Sequence, residues 1–282
     1  MMEWQSGFVE ANGIRLHYTR TGAGILRAKP PVVLAHGFTD SGLCWTPVAA
    51  ALEADYDLIM VDARGHGQSD APETGYTLAQ MAGDLRGIIA GLGLQRPAVM
   101  GHSMGGGTTL ALAGLYPDVP GAIILEDAGA LSTADFPHRR EAGEGPAQSL
   151  FARLQHKTRA DLIAEIRMEH PDWPEAELGP WADAKLRLNP RAGTFDPTVG
   201  VTWQELLPRI TCPALLITAD LDRGAMVTSQ RAAEMQRQLP QLQIAHIPGA
   251  GHNVRREQFD RFLEVVRSFL APWAATYQTT GT

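Results

Sequence analysis

The chain is poor in several things, and each shortage closes a route. Of its 282 residues only two are cysteine, Cys44 and Cys212, too few for a disulfide framework. Both lie beside apolar or proline residues and read as buried thiols, which suits a reducing cytoplasm. No apolar run approaches the roughly 20 residues that a membrane helix needs. The opening Met1-Met2-Glu3-Trp4-Gln5 lacks the basic-then-apolar pattern of a signal peptide. Positive charge is in deficit. The formal net charge of −7 speaks against nucleic acid or an anionic membrane as the main partner. No His-Glu-x-x-His or Cys-x-x-Cys spacing suggests a metal site, and there is no repeat or low-complexity tract. What remains, with 44% hydrophobic and 20% charged residues, is a globular composition long enough for one good core and an insertion.

Apolar runs then alternate with helical patterns. Phe8 to Ala11 and Ile14 to Tyr18 flank Asn12-Gly13, the signature of a two-residue β-hairpin. Val32–Ala35, Leu58–Val61, Ala98–Met100, Ala122–Leu125, Ala214–Thr218 and Gln243–Ile247 read as further strands, most of the fully buried parallel kind. Helices are expected near Leu43–Glu53, over Leu78–Leu92 behind a Thr77 cap, after Ser103, over Thr228–Leu239 and over Arg255–Leu270. Residues 273–282 read as a mobile tail. From Gly129 to Pro208 strand signals stop, and charged helical segments appear around Ala147–Gln155, Arg159–Glu169 and Glu175–Leu188. The fold class is therefore α/β: a mostly parallel, doubly wound sheet with an amino-terminal antiparallel hairpin and a helical insertion over residues 129–208. In such sheets the ligand site lies beyond the carboxyl ends of the strands.

The chemistry centres on Gly101-His102-Ser103-Met104-Gly105. This Gly-x-Ser-x-Gly joins a buried strand to a helix in a turn sharp enough to expose the Ser103 hydroxyl. Serine needs a neighbouring base. Of nine histidines, His252 sits in a tight glycine loop after the last strand, where it can swing over the sheet edge. His102, His66 and His246 read as structural. The imidazole needs a carboxylate partner, and here two alternatives stand. Asp222, after the penultimate strand, is preferred; Asp127, one strand earlier, is the alternative, with Asp220 behind both. The amides of Met104, at the helix start, and Phe38, at an early strand tip, are candidate oxyanion donors. Trp173, Trp181 and Trp203 read either as substrate-facing side chains or as packing of the helical block. Arg64, Arg139, Arg140 and Arg223 read as solvated surface groups before carboxylate binders.

With His36-Gly37-Phe38, the run Asp62 to Ser69, the serine turn and Gly249-Ala250-Gly251-His252, nearly the whole chain resembles the α/β-hydrolase superfamily. The resemblance implies a Ser-His-Asp hydrolase without cofactor or metal, of the lid-bearing esterase type. Its core domain would be residues 1–128 and 209–282, and its helical cap residues 129–208. It implies a carboxylesterase-like enzyme acting on an ester, lactone or similar acyl bond of a small substrate, working as a monomer or homodimer. Ser103 argues against the dehalogenases and epoxide hydrolases of this fold, which use aspartate there. A carbon–carbon bond hydrolase of ring-cleavage diketones and a non-catalytic small-molecule receptor are the rival readings.

Overall fold

The structure is a computed structural model that describes residues 4–22, 29–128, 151–154, 156–197, 200 and 202–280. Eight strands form one sheet in the order β1-β2-β4-β3-β5-β6-β7-β8. β1 (Gln5–Ala11) and β2 (Ile14–Arg20) are the hairpin, with Asn12 and Gly13 both at positive φ as a primed turn requires. β2 runs antiparallel to β4 (Asp57–Val61). β3 (Pro31–Ala35), β5 (Ala98–His102), β6 (Ala122–Glu126), β7 (Ala214–Thr218) and β8 (Leu242–His246) continue the sheet in parallel.

The central strands are buried on both faces, so alternate residues feed two separate cores. Val33, Ile59, Val99, Ile123 and Leu216 point to one face. There they meet α2 (Leu78–Gly91), α3 (Met104–Leu115) and α7 (Ser229–Gln238). Leu34, Leu58, Met100, Ile124 and Leu215 point to the other. There they meet α1 (Thr46–Leu52) and α9 (Phe259–Thr280). Thr77 caps α2 by accepting the Gln80 N–H.

Two expectations shift at the carboxyl terminus. The last helical stretch is split into α8 (Val254–Glu257) and α9, and α9 runs on through Pro272 to Thr280 where a tail was expected. Burial of Trp273 against the second core accounts for the extension.

Between β6 and β7 lie α4 (Arg159–Glu169), α5 (Glu175–Leu186) and the short α6 (Trp203–Leu206). α4 and α5 share their own apolar cluster, including Leu162, Ile166, Trp173 and Trp181. Most of the expected Ala147–Gln155 helix, together with Arg139 and Arg140, lies outside the described residues; Phe151 to Leu154 are helical.

Strand order reverses between β3 and β5, which makes their carboxyl ends the switch point of the sheet. His36-Gly37-Phe38 leaves β3 there, and Ser103 leaves β5.

Candidate active site

Ser103 alone turns the chain from β5 into α3. Its backbone sits at φ 51° and ψ −115°, a region that a non-glycine residue occupies only when its surroundings force it. Glu126 O accepts the Ser103 N–H at 3.1 Å, and Ser103 O accepts the Gly107 N–H at 2.9 Å. The flanking glycines are obligatory on steric grounds. A Cβ on Gly101 would stand 2.2 Å from Gly105 O, and one on Gly105 would stand 2.2 Å from Ala35 O.

His252 arrives from the loop after β8. Its Nδ1–H donates to Asp127 Oδ2 at 2.6 Å. Asp127 is fully buried at the end of β6, at φ 39°. Its Oδ2 also accepts the Met226 N–H at 2.8 Å, and its Oδ1 accepts the Val227 N–H at 3.1 Å. Of the two alternatives, the structure brings Asp127 and not Asp222 to the imidazole. Asp222 lies exposed in the turn Leu221–Arg223, and among the described residues no bond joins it to His252. Its backbone turns the carboxylate outward, whereas Asp127 is turned inward and trapped by two amides. Asp220 is engaged elsewhere, with His246 Nε2 at 3.0 Å and the Gly249 N–H at 2.7 Å.

His102 does more than flank the serine. Its Nε2–H donates to His252 O at 2.8 Å, and the two rings lie 4.7 Å apart between centroids. Burial, reinforced by Arg255 and His252, holds its pKa well below that of an ordinary histidine, so the ring is neutral. His66 Nε2 bonds Phe38 O at 2.6 Å, and burial next to His36 pushes its pKa down to about 4.

Ser103 and His252 open on one pocket of about 370 Å³, which Phe38, Ile166, Trp173 and Trp181 also line. Trp203 is absent from it. That side chain packs into the main core with Leu206, which is the packing alternative of its two readings. Arg64 is corrected as well: it is buried and forms a bidentate pair with Asp84 rather than lying on the surface. Met104 carries the first N–H of α3, which has no acceptor within the helix. The Phe38 amide precedes Thr39 in the loop that borders the pocket.

A buried ionic cluster underlies the pocket, and no sequence pattern pointed to it. Asp40 accepts from Lys185 Nζ at 3.2 Å, Arg255 Nη2 at 3.1 Å and Arg256 Nη2 at 2.9 Å. Burial would raise the pKa of its carboxyl. Arg256, Lys185 and Arg255 overcome that and hold it well below the usual range. Among the described residues no cluster of three or more His, Cys, Asp or Glu side chains is arranged to hold a metal.

A half-buried serine at the switch point that shares a pocket with an imidazole anchored on a buried acid is the layout expected of a hydrolase. The chain belongs to the alpha/beta hydrolase fold family, whose family model matches residues 30–255. It is 28% identical over 278 residues to N-formylmaleamate deformylase of Pseudomonas putida, covering 94% of this chain and 96% of that protein. It is 26% identical over 272 residues to 2-(acetamidomethylene)succinate hydrolase of Mesorhizobium japonicum, covering 93% and 94%. Among solved structures, the enol-lactonase of Burkholderia xenovorans superposes with a TM-score of 0.73 at 25% identity, covering 94% of this chain and all of that one.

Proposed function

We propose that the protein is a serine hydrolase that cleaves a carboxylic ester, lactone or related acyl bond of a small substrate through an acyl-enzyme. The observation that carries this reading is the 2.6 Å bond from His252 Nδ1 to buried Asp127, in an imidazole that shares a pocket with Ser103. That bond fixes the tautomer with a free Nε2 lone pair, the state a general base requires.

Ser103 Oγ attacks the carbonyl carbon while His252 Nε2 takes the hydroxyl proton. The N–H groups of Phe38 and Met104 bind the oxyanion. Collapse expels the leaving group, which receives the proton from His252. Water, deprotonated by the same nitrogen, then releases the acid and restores Ser103. The cysteines offer no rival nucleophile, since burial pushes both thiols up to about 11. Their buried, unpaired state fits a reducing compartment such as the cytoplasm.

Residues 129–208 act as the cap over a core of residues 1–128 and 209–282. Trp173, Trp181 and Ile166 give the pocket an apolar wall suited to a hydrocarbon or aromatic group. A second feature narrows the substrate. Arg153, half-exposed on the same pocket, meets Glu165 through Nη1 at 3.3 Å, leaving its other nitrogens to face a substrate carboxylate. Two relatives act, by their names, on carboxylate-bearing compounds with a C–N bond. The protein works on a small molecule as a monomer or homodimer.

Hydrolysis of p-nitrophenyl acetate and butyrate by the wild type and Ser103→Ala tests the reaction. Equal nitrophenol release by both would remove Ser103 from it. Mono-p-nitrophenyl succinate tests the carboxylate: wild type is expected to prefer it over the butyrate ester, and Arg153→Met to lose that preference.

A further inference from the structure

α5 touches both halves of the hydrolytic apparatus through buried charges. Lys185 Nζ donates to Thr39 O at 2.7 Å and to Asp40 Oδ1 at 3.2 Å. Thr39 directly follows Phe38, the candidate oxyanion donor. Eight residues back on α5, roughly two turns, Glu177 Oε2 accepts Arg256 Nε at 3.0 Å. Arg256 Nη1 in turn donates to Asn253 Oδ1 at 2.9 Å. Asn253 directly follows His252. Asp40 closes the circuit by accepting from Arg256 Nη2. The aromatic side chains of the pocket seat the same cations: Lys185 Nζ lies 4.5 Å from the Trp181 ring centroid, and the Arg256 guanidinium 4.7 Å from that of Trp173.

Glu177, Lys185, Asp40 and Arg256 are each at least nine-tenths buried. Ionic groups so deep give less stability than apolar side chains of similar volume would. The α4–α5 block already has such an apolar cluster. Holding the helix down does not therefore require these charges. What they add is direction, because Lys185 ends on Thr39 and Arg256 on Asn253, the residues next to Phe38 and His252, and Glu177 and Asp40 hold those two cations in place.

We propose that Lys185 and Glu177 are positioning residues, and that α5 is a fixed bracket that sets the Phe38 amide and the His252 loop in register with Ser103. This rests on the serine-hydrolase reading above. α5 accordingly stays seated through turnover.

The test compares Lys185→Met, Lys185→Arg and Glu177→Leu with the wild type and Ser103→Ala. Lys185→Met keeps the stem and leaves Asp40 paired with both guanidiniums, so the fold is retained. Amide hydrogen exchange over residues 36–41 and 249–256 reads the bracket without any substrate. p-Nitrophenyl butyrate kinetics read its consequence. Lys185→Met is expected to speed exchange in the first segment and Glu177→Leu in the second. Each should lower kcat about tenfold with KM within about twofold, as a displaced donor or base does, and Lys185→Arg should recover most of kcat. Exchange and kcat at wild-type values in Lys185→Met and Glu177→Leu would overturn the bracket, as would a loss confined to KM. Should Ser103→Ala hydrolyse as fast as wild type, the serine reading falls, and exchange still decides the bracket.

Discussion

Replacing Asp127 by asparagine separates the two acids considered for this site, and its cost can be worked from the contacts. Three donors converge on the carboxylate: His252 Nδ1–H and the Met226 N–H on Oδ2, and the Val227 N–H on Oδ1. An asparagine brings one oxygen and one NH₂ to the same place. If the NH₂ replaces Oδ1 it opposes Val227, and if it replaces Oδ2 it opposes Met226. Either way one buried donor loses its acceptor, at about 1–3 kcal/mol of stability. In the second orientation the NH₂ also drives His252 into the tautomer protonated on Nε2, which cannot accept the serine proton. In both, the negative charge beside the imidazolium is gone. The template for this substitution is a loss of about 10⁴ in kcat, or about 5.4 kcal/mol of transition-state stabilisation. Asp222, exposed and, among the described residues, without a hydrogen bond to the ring, should tolerate asparagine with less than about a twofold change. The assay is steady-state hydrolysis of p-nitrophenyl butyrate, with urea melts on each variant so that activity is compared in folded protein. A hundredfold loss in Asp222→Asn alongside a near-normal Asp127→Asn would refute the reasoning.

Other perturbations follow from the same contacts. Gly101→Ala should cost about 3 kcal/mol or more, or yield no folded protein, because the new Cβ meets backbone atoms that cannot rotate away; a melt within 1 °C of wild type would contradict this. Arg64→Met leaves Asp84 buried with only the Asn12 amide and should cost about 3 kcal/mol in urea unfolding; an unchanged midpoint would show that the pair is dispensable. Acidification should destabilise the fold. His66 has a folded pKa of about 4 against about 6.5 unfolded, so its penalty is absent above pH 6.5 and grows as pH falls toward 4. It amounts to about 2 kcal/mol at pH 5. His36 and His102, also shifted down by burial, add to it. Asp84 and Glu126, raised by burial, oppose it at the acidic end of that window. Urea melts at pH 7.5 and 5.0 measure the difference, which His66→Gln should reduce; equal stability at the two pH values would sink the linkage.

The parts of this molecule that could be read from its sequence are those encoded locally. The hairpin follows from Asn12-Gly13, the parallel core from uninterrupted apolar runs, and the serine turn from two glycines whose missing side chains make room for backbone. The order of strands and the glycine loop before His252 put both on one rim. What could not be read depends on how distant segments meet. Trp203 has the same character as Trp173 and Trp181 in the chain, yet only packing decides that it turns into the main core. Asp40, Glu177, Lys185 and Arg256 are ordinary charged residues by type and spacing. Their burial together depends on α5 settling against the loop after β3, a contact between residues 145 and 146 positions apart.

The proposed acid shows the same limit most sharply, and the geometry explains why Asp127 is the carboxylate at His252. Glu126 and Asp127 are consecutive at the end of β6, and both grip the loop that carries the base. Glu126 accepts the Arg255 N–H at 2.8 Å and Arg255 Nη1 at 3.0 Å, while Asp127 takes His252. Neighbouring side chains of a regular strand point to opposite faces, so two consecutive acids reach one loop only if the strand breaks between them. Asp127 at φ 39° is that break. The loop after β7, expected to supply the carboxylate, instead gives the Met226 and Val227 amides that hold it. That loop remains part of the acid site as a donor of hydrogen bonds rather than of charge. Shifting the acid's role to Asp222 would therefore require more than the aspartate already there. It would need a different partner for two buried N–H groups, and a second anchor for His252 to replace the one β6 provides.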